Sequence, residues 1–270
     1  MPTRTLVTAS LLLLALSACT TSPTGRSQFL IVSPASAIQQ SRGAYQQAVD
    51  SFRGEQKIAD QPQVDSRVRR VAGRVVTAAT QQYPQSSNWD WSVVIVDDDE
   101  VVNAWCMAGG KMAVYTGLFE QLSLTDAEFA QIMGHEISHA LANHTAERMS
   151  RAMAIQLGLA AVSAATDGSG SAGQSAELLA QVALELPNSR TAEREADGLG
   201  MRLATLAGYD PIAAAGIWAK KAQEQYSGYN YFSTHPANDE RAKANAVTAS
   251  KLSEHYVAGQ VNPHAETLLI

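Results

Sequence analysis

The sequence predicts a predominantly helical α+β domain with one small sheet, and three observations carry that expectation. Aromatic residues make up only 6% of the 270, while Ala, Leu, Gln and Ser abound, a balance that favours packed helices over a sandwich or barrel. Apolar residues recur at three- and four-residue spacing over several long stretches, whereas strand-like runs are confined to residues 91–116. A hydrophobic share of 46% with 17% charged residues is that of a chain with a packed core. Twenty basic against 26 acidic residues leave a net charge of −6. The basic footprint of a nucleic-acid binder is missing, so no nucleic-acid partner is expected. Cys19 and Cys106 are too few for a disulfide scaffold or a four-cysteine metal site.

In chain order, Arg4 precedes an apolar run from Leu6 to Leu16 that is too short to span a bilayer, and Leu16-Ser17-Ala18-Cys19 follows. This is a secretory signal peptide over residues 1–18. Its end resembles the bacterial lipobox, which makes Cys19 the lipidated N-terminus, and residues 19–33 an anchor and tether. By resemblance to Gram-negative lipoproteins, Thr20, where an Asp would signal inner-membrane retention, points to the outer membrane. With Cys19 lipidated, Cys106 has no partner in the chain and reads as a free core thiol. Residues 34–270 then form one domain. Helices are expected over Pro34–Phe52 and Val64–Ala79, the second with Val68, Val71, Val75 and Ala78 on one stripe. Strands follow at Trp91–Val96, Asn103–Met107 and Lys111–Thr116, the last two joined by the turn Ala108-Gly109-Gly110. Asp97 to Glu100 reads as a solvated turn.

Thr125-Asp126-Ala127-Glu128 has the form of a capping box, and Phe129, Ile132, Met133, Ile137, Ala140 and Leu141 carry a helix to about Asn143 with one buried side. Ile155–Ala165 suggests a further buried helix, and Asp167–Gln174 a Gly/Ser-rich loop. Pro187 precedes a helix over Ser189–Leu206, ended by Gly208. Asp210-Pro211 opens another to about Gln225, and a last helix runs from about Asn238 to Tyr256.

The chemistry sits in His135-Glu136-Ile137-Ser138-His139. Residues four apart on a helix differ by about 40° in direction, so two imidazoles can meet one metal ion, with Glu136 beside its open side. A catalytic zinc needs a third protein ligand and a free position for water. The extended motif with a further Gly and His is absent, because Ala142 and Thr145 occupy those places. His144, about 140° round the helix from His139, reads as a helix-end residue. A carboxylate from the helix over Ser189–Leu206 is therefore expected. Glu193 and Asp197 are one turn apart there, with Ala196, Gly198 and Gly200 allowing a close approach. Glu195 is a rival that reads, with Arg190 and Arg194, as part of the solvated face.

These residues, with Thr234-His235-Pro236 and Arg241 downstream and the run Asn103–Gly117 upstream, resemble the gluzincin metallopeptidases of the HtpX and CAAX prenyl protease family. The lipobox, and the absence of a multi-span membrane region, bring the chain nearest to the periplasmic lipoprotein members. The helical-repeat extension that some members carry is not expected here, and Ala108 stands where the family usually has proline. The resemblance implies a zincin-like fold and one zinc ion held by His135, His139 and Glu193, with Glu136 as general base and Asp197 orienting an imidazole. It implies that His235 stabilises the oxyanion or acts as a reversible fourth ligand, and that Arg241 orients its segment through a salt bridge. By the same resemblance an extended peptide pairs with an edge strand near Lys111, Met112, Ala113, Val114 and Tyr115. The expected activity is zinc-dependent endopeptidase cleavage of unfolded or misassembled envelope proteins on the periplasmic face of a Gram-negative outer membrane, alongside its assembly machinery. The competing expectation is a chaperone or assembly factor that cleaves rarely; a purely structural zinc site is a third.

Overall fold

The computed structural model describes residues 19–165, 188–223, 231–235 and 239–260. Strands β1 (Cys19–Thr21) and β2 (Ser27–Phe29) form an antiparallel pair, followed by helices α1 (Pro34–Gly54) and α2 (Pro62–Gln82). A three-stranded sheet comes next, made of β3 (Ser92–Val96), β4 (Ala104–Met107) and β5 (Lys111–Tyr115). Helices α3 (Gly117–Leu122), α4 (Asp126–Leu141), α5 (His144–Ala165), α6 (Arg190–Leu206), α7 (Ala213–Gln223), α8 (Tyr231–Thr234) and α9 (Asp239–Ser253) complete the described chain. The predominantly helical fold with one small mixed sheet is thus as the sequence predicts. No described helix is long and apolar enough to cross a membrane.

Helix α4 starts where the capping box puts it. The Thr125 hydroxyl accepts from the Glu128 amide at 3.2 Å, and Glu128 Oε2 accepts from the Thr125 amide at 2.7 Å. Two otherwise orphaned donors are satisfied in this way. Burial is more complete than the periodicity suggests, since every residue from Glu128 to Leu141 is buried. Phe129, Ile132, Met133 and Ile137 face the main core with the Val68, Val71 and Val75 stripe of α2, while the polar side of α4 is covered by other elements. The chain then turns at Asn143, whose φ of 56° lies in the left-handed region that asparagine tolerates better than most residues. His144 therefore begins a new helix instead of continuing α4.

Strand order in the sheet is β3-β5-β4, with β3 parallel and β4 antiparallel to β5. Gly109 and Gly110, both with φ above 80°, make the β4–β5 turn, and a Cβ on Gly110 would lie 2.5 Å from the Trp91 ring. This order corrects the expectation for Lys111, Met112, Ala113, Val114 and Tyr115. They form β5, the middle strand, whose backbone is paired on both sides and cannot add a peptide strand. The Lys111 ammonium is bound by Asp90 at 2.7 Å and Ser92 at 3.0 Å. The edge beside α4 belongs to β4, and among the described residues no strand lies on its other side. Asp97, Asp99 and Glu100 are exposed in a turn, as their run of charge predicts.

Two further expectations need revision. Helix α7 begins at Ala213, not at Pro211, because Asp210 Oδ1 accepts from the Ile212 amide (2.9 Å) in a turn that precedes the helix. Ile155 and Leu157 on α5 are about 60% exposed, so the burial expected over Ile155–Ala165 fails at these two positions, and the side chains of residues 158–165 lie outside those described. The Asp167–Gln174 loop and Pro187 lie outside the described residues. The segment read as a tether is folded against the body. Val32 N donates to Ser150 Oγ at 2.9 Å, and Gln28 Nε2 donates to the carbonyl of Ala142 at 2.7 Å.

Helices α4 and α6 approach until their backbones touch. A Cβ on Gly200 would lie 2.6 Å from the His135 amide nitrogen, and one on Gly134 would lie 2.5 Å from the Gly200 carbonyl oxygen. Gly198, also expected to permit the approach, has open space within 4 Å. Gly200→Ala is predicted to destabilise the protein by about 1–3 kcal/mol through overpacking against backbone. Gly198→Ala is predicted to be neutral or to stabilise by about 0.5–1 kcal/mol. Urea unfolding of both variants reads the contrast, and equal effects would contradict the packing described.

Candidate metal centre

The Gly134–Gly200 contact sets the two helices at the distance their polar side chains require. His135 and His139 project one turn apart from α4, and Glu193 meets them from the first turn of α6, whose N-cap Ser189 accepts from Ala192 N at 3.1 Å. His235 comes from the end of the short helix α8, which is pinned by the Tyr231 amide donating to Val102 O at 2.7 Å. One atom each of His135, His139, Glu193 and His235 lie within 4.8 Å of one another, all four residues buried.

The finer distances suit a tetrahedral ion. His135 Nε2 stands 3.0 Å from His139 Nε2, 3.4 Å from Glu193 Oε2 and 3.1 Å from His235 Nδ1; His139 Nε2 stands 3.4 Å from Glu193 Oε1, and His235 Nδ1 3.1 Å from it. Ligands about 2.0–2.1 Å from a tetrahedral zinc are separated by roughly 3.3–3.4 Å, close to this spread. Nitrogen and oxygen lone pairs converging in a buried space also repel unless a cation or protons lie among them. The cluster is therefore a metal-binding arrangement consistent with zinc.

Each group is held from behind. Asp197 Oδ1 lies 2.9 Å from His135 Nδ1, as its position one turn beyond Glu193 predicts. The buried Arg241 guanidinium reaches both α6 carboxylates, donating to Asp197 through Nε and Nη2 at 2.8 Å each and pairing with Glu193 through Nη1 at 2.9 Å. Burial works against the ionised Glu193, but His135 and His235 outweigh it and hold this carboxyl far below the usual range. Asp197 is likewise held low against burial by His135 and Arg241. Burial pushes the His139 imidazole well below its ordinary value, keeping it neutral. His135 is lifted to about 10 because Glu193 and Asp197 overcome its burial.

Glu136 points to the other side of the cluster, with Oε1 3.3 Å from His235 Nε2 and no well-directed hydrogen bond. Burial raises its pKa, with His235 and His135 opposing. It lines a cavity of about 230 Å³ together with His139, Tyr115 and the β4 residues Trp105, Cys106 and Met107. Of the five β5 residues expected at a peptide site, only Tyr115 borders this cavity. Cys106 is a free buried thiol whose pKa burial pushes well up, as a core cysteine's should be.

Two residues belong here that sequence reasoning placed elsewhere. His144 is buried, with Nδ1 2.7 Å from His139 Nδ1, because the left-handed turn at Asn143 swings it back toward α4. Glu195 is buried too, 3.1 Å from His144 Nε2, because the N-terminal segment covers its face of α6. Arg194 is on the exposed face, as expected, pairing loosely with Glu240. An asparagine just past a helix end, a common left-handed stop, was the one local signal for the first misplacement.

Residues 59–247 match the family model of peptidase family M48. The chain belongs to this family. It is 34% identical over 157 residues to mitochondrial metalloendopeptidase OMA1 of Arabidopsis thaliana, covering 57% of this chain and 30% of that protein. It is 33% identical over 146 residues to metalloprotease LoiP of Escherichia coli strain K12, covering 53% and 56%. It is 28% identical over 176 residues to a putative β-barrel assembly-enhancing protease of Vibrio cholerae, covering 58% and 35%. The chain thus spans between 30% and 56% of the length of these relatives. Mitochondrial members are as similar as the bacterial lipoprotein type that the lipobox singles out, so the kinship stands at the level of the family.

Removing the metal should loosen the whole centre. Dialysis against a chelator is predicted to lower the melting temperature, and stoichiometric zinc to restore it. A ligand a thousandfold above its Kd stabilises by about 4 kcal/mol, or roughly 10 °C for a domain of this size. Calorimetry showing equal melting with and without zinc would contradict a metal centre.

Proposed function

We propose that the chain is a zinc-dependent endopeptidase of the bacterial cell envelope that hydrolyses unfolded or misassembled proteins. The observation that supports this reading best is the meeting of His135, His139 and Glu193 at one point, with a Glu136 carboxylate whose Oε1 accepts no well-directed hydrogen bond beside a cavity bordered by a strand edge. A structural zinc site would have no use for such a base. Bound zinc supplies Lewis acidity to the attacking water and the scissile carbonyl. Glu136, its basicity raised by burial, takes the proton of the water and returns it to the leaving amine. Asp197 and Arg241 fix the His135 ring and the Glu193 carboxylate through the reaction.

The substrate strand is assigned to the free edge of β4, Ala104–Met107, in place of β5. Backbone pairing there binds extended polypeptide with little demand on sequence, which suits unfolded clients. In this reading Cys19 carries the lipid, and the enzyme works at the periplasmic face of the outer membrane. A β-barrel assembly-enhancing protease among its relatives makes clients of that assembly machinery the natural substrate class. His235 serves as a reversible fourth ligand, because its Nδ1 is as close to His135 and Glu193 as the ligands are to one another.

Glu136→Gln is predicted to lower casein cleavage by at least about 100-fold, the usual scale of lost acid–base catalysis, while leaving zinc content unchanged by metal analysis. Full cleavage by that variant would rule out the mechanism; no cleavage by the unsubstituted protein would favour a holding factor. His235→Ala is predicted to raise turnover, because the position needed by water is freed. A fall in kcat at unchanged KM would return His235 to oxyanion stabilisation.

A further inference from the structure

We propose that the N-terminal segment is a working part of the metal centre: Thr24 and Arg26 hold Glu195, which holds His144, which fixes the ring of His139. This rests on the metal-centre reading above and joins Thr24 and Arg26 to the His144 and Glu195 already placed there. The direction of every hydrogen bond follows from one constraint. His139 must present a bare Nε2 to the metal, so its proton is on Nδ1. That N–H donates to His144 Nδ1 at 2.7 Å. His144 is then the tautomer protonated on Nε2, and it donates to Glu195 Oε2 at 3.1 Å. Glu195 also accepts from Arg26 Nε at 2.7 Å and from the Thr24 hydroxyl. The rest of the Arg26 fork lies on Glu147, with Nη1 at 3.1 Å and Nη2 at 2.8 Å.

Burial makes this arrangement demanding. His144 is 1% exposed, and the Glu195 side chain 3%. A buried carboxylate without its donors is costly, so Glu195 depends on the cation that the N-terminal segment brings across the chain. Thr24 and Arg26 lie outside residues 59–247, the part that matches the family. His135 receives its carboxylate directly, from Asp197 on α6. His139 receives one at a remove, through His144, and the carboxylate in turn needs Arg26. Of the two imidazoles, only His139 is thereby linked to the segment that leads to Cys19.

His144, Glu195, Thr24 and Arg26 are positioning residues, and metal affinity reads them without recourse to turnover. Zinc dissociation constants are measured on the purified full chain by competition with a chromophoric chelator, and the visible spectrum of the cobalt-substituted protein reports ligand geometry. His144→Leu is expected to weaken zinc binding by about 10- to 100-fold and to shift the cobalt bands. His144→Asn, whose Oδ1 can accept the same proton, is expected to recover most of the affinity and the spectrum. Arg26→Gln is expected to weaken binding severalfold, and its side chain is partly exposed, so it tests the chain of contacts even if His144→Leu does not fold. Unchanged affinity in Arg26→Gln, or equal losses in the Leu and Asn variants with both folded by circular dichroism, would overturn the proposal. Absence of zinc from the unsubstituted chain would overturn the metal-centre reading and this proposal with it, and would be seen before any substitution is made.

Discussion

The structure depends on the burial of several lone-pair-bearing groups at one point. Two imidazole nitrogens 3.0 Å apart, a carboxylate within 3.4 Å of both and a third imidazole at 3.1 Å cannot share a dry interior as neutral acceptors and a bare anion. A shared cation turns mutual repulsion into attraction, and most of the surrounding packing holds the groups in place for it. The backbone contact of Gly134 with Gly200 brings α4 and α6 together. Arg241 then offsets the two α6 carboxylates that face the cluster, and Arg26 offsets the one that faces away. Buried charge of this kind is poor value for stability alone. Its concentration around one point is what a reaction centre requires.

How much of this was legible in the sequence varied with the range of the interaction. The His135–His139 helix could be read because both its signals are local: a capping box fixes its start, and a four-residue spacing fixes the common direction of the rings. Glu193 and Asp197 were readable as a pair one turn apart, although residue identities alone left Glu195 as a rival. Strand order was not legible. Nothing in Lys111–Tyr115 or Ala104–Met107 says which is the middle strand, because a hairpin can present either edge to the rest of the sheet. Only the parallel addition of β3 to β5 leaves β4 at the edge beside α4.

Glu195 and His144 failed for reasons that are physical and distinct. Glu195 lies about 200° round α6 from Glu193, which on an isolated helix is the solvent side. It is buried because a segment some 170 residues earlier in the chain lies over that face, and no local pattern records the cover. The error at His144 was geometric. Counting 100° per residue assumes that the helix continues, and it does not, because Asn143 takes a left-handed conformation and restarts the count. The sequence likewise reads residues 19–33 as an anchor and tether, yet Arg26 alone makes ion pairs to two different helices.

The same elements that complete the cluster also border the strand edge assigned to substrate. Helix α8, which carries His235, is tied by the Tyr231 amide to the carbonyl of Val102, two residues before β4 begins. Glu136 lies between the two, 3.3 Å from His235 Nε2 and on the wall of the cavity that the β4 residues line. A peptide laid along β4 would bring its carbonyls to the side of the cluster where His235 now stands. Displacing that imidazole would also take away the ring nitrogen that stands 3.3 Å from Glu136 Oε1, leaving the carboxylate free to accept a proton. If His235 is the reversible ligand proposed above, its withdrawal and the freeing of Glu136 would be one movement, since a single ring faces both groups.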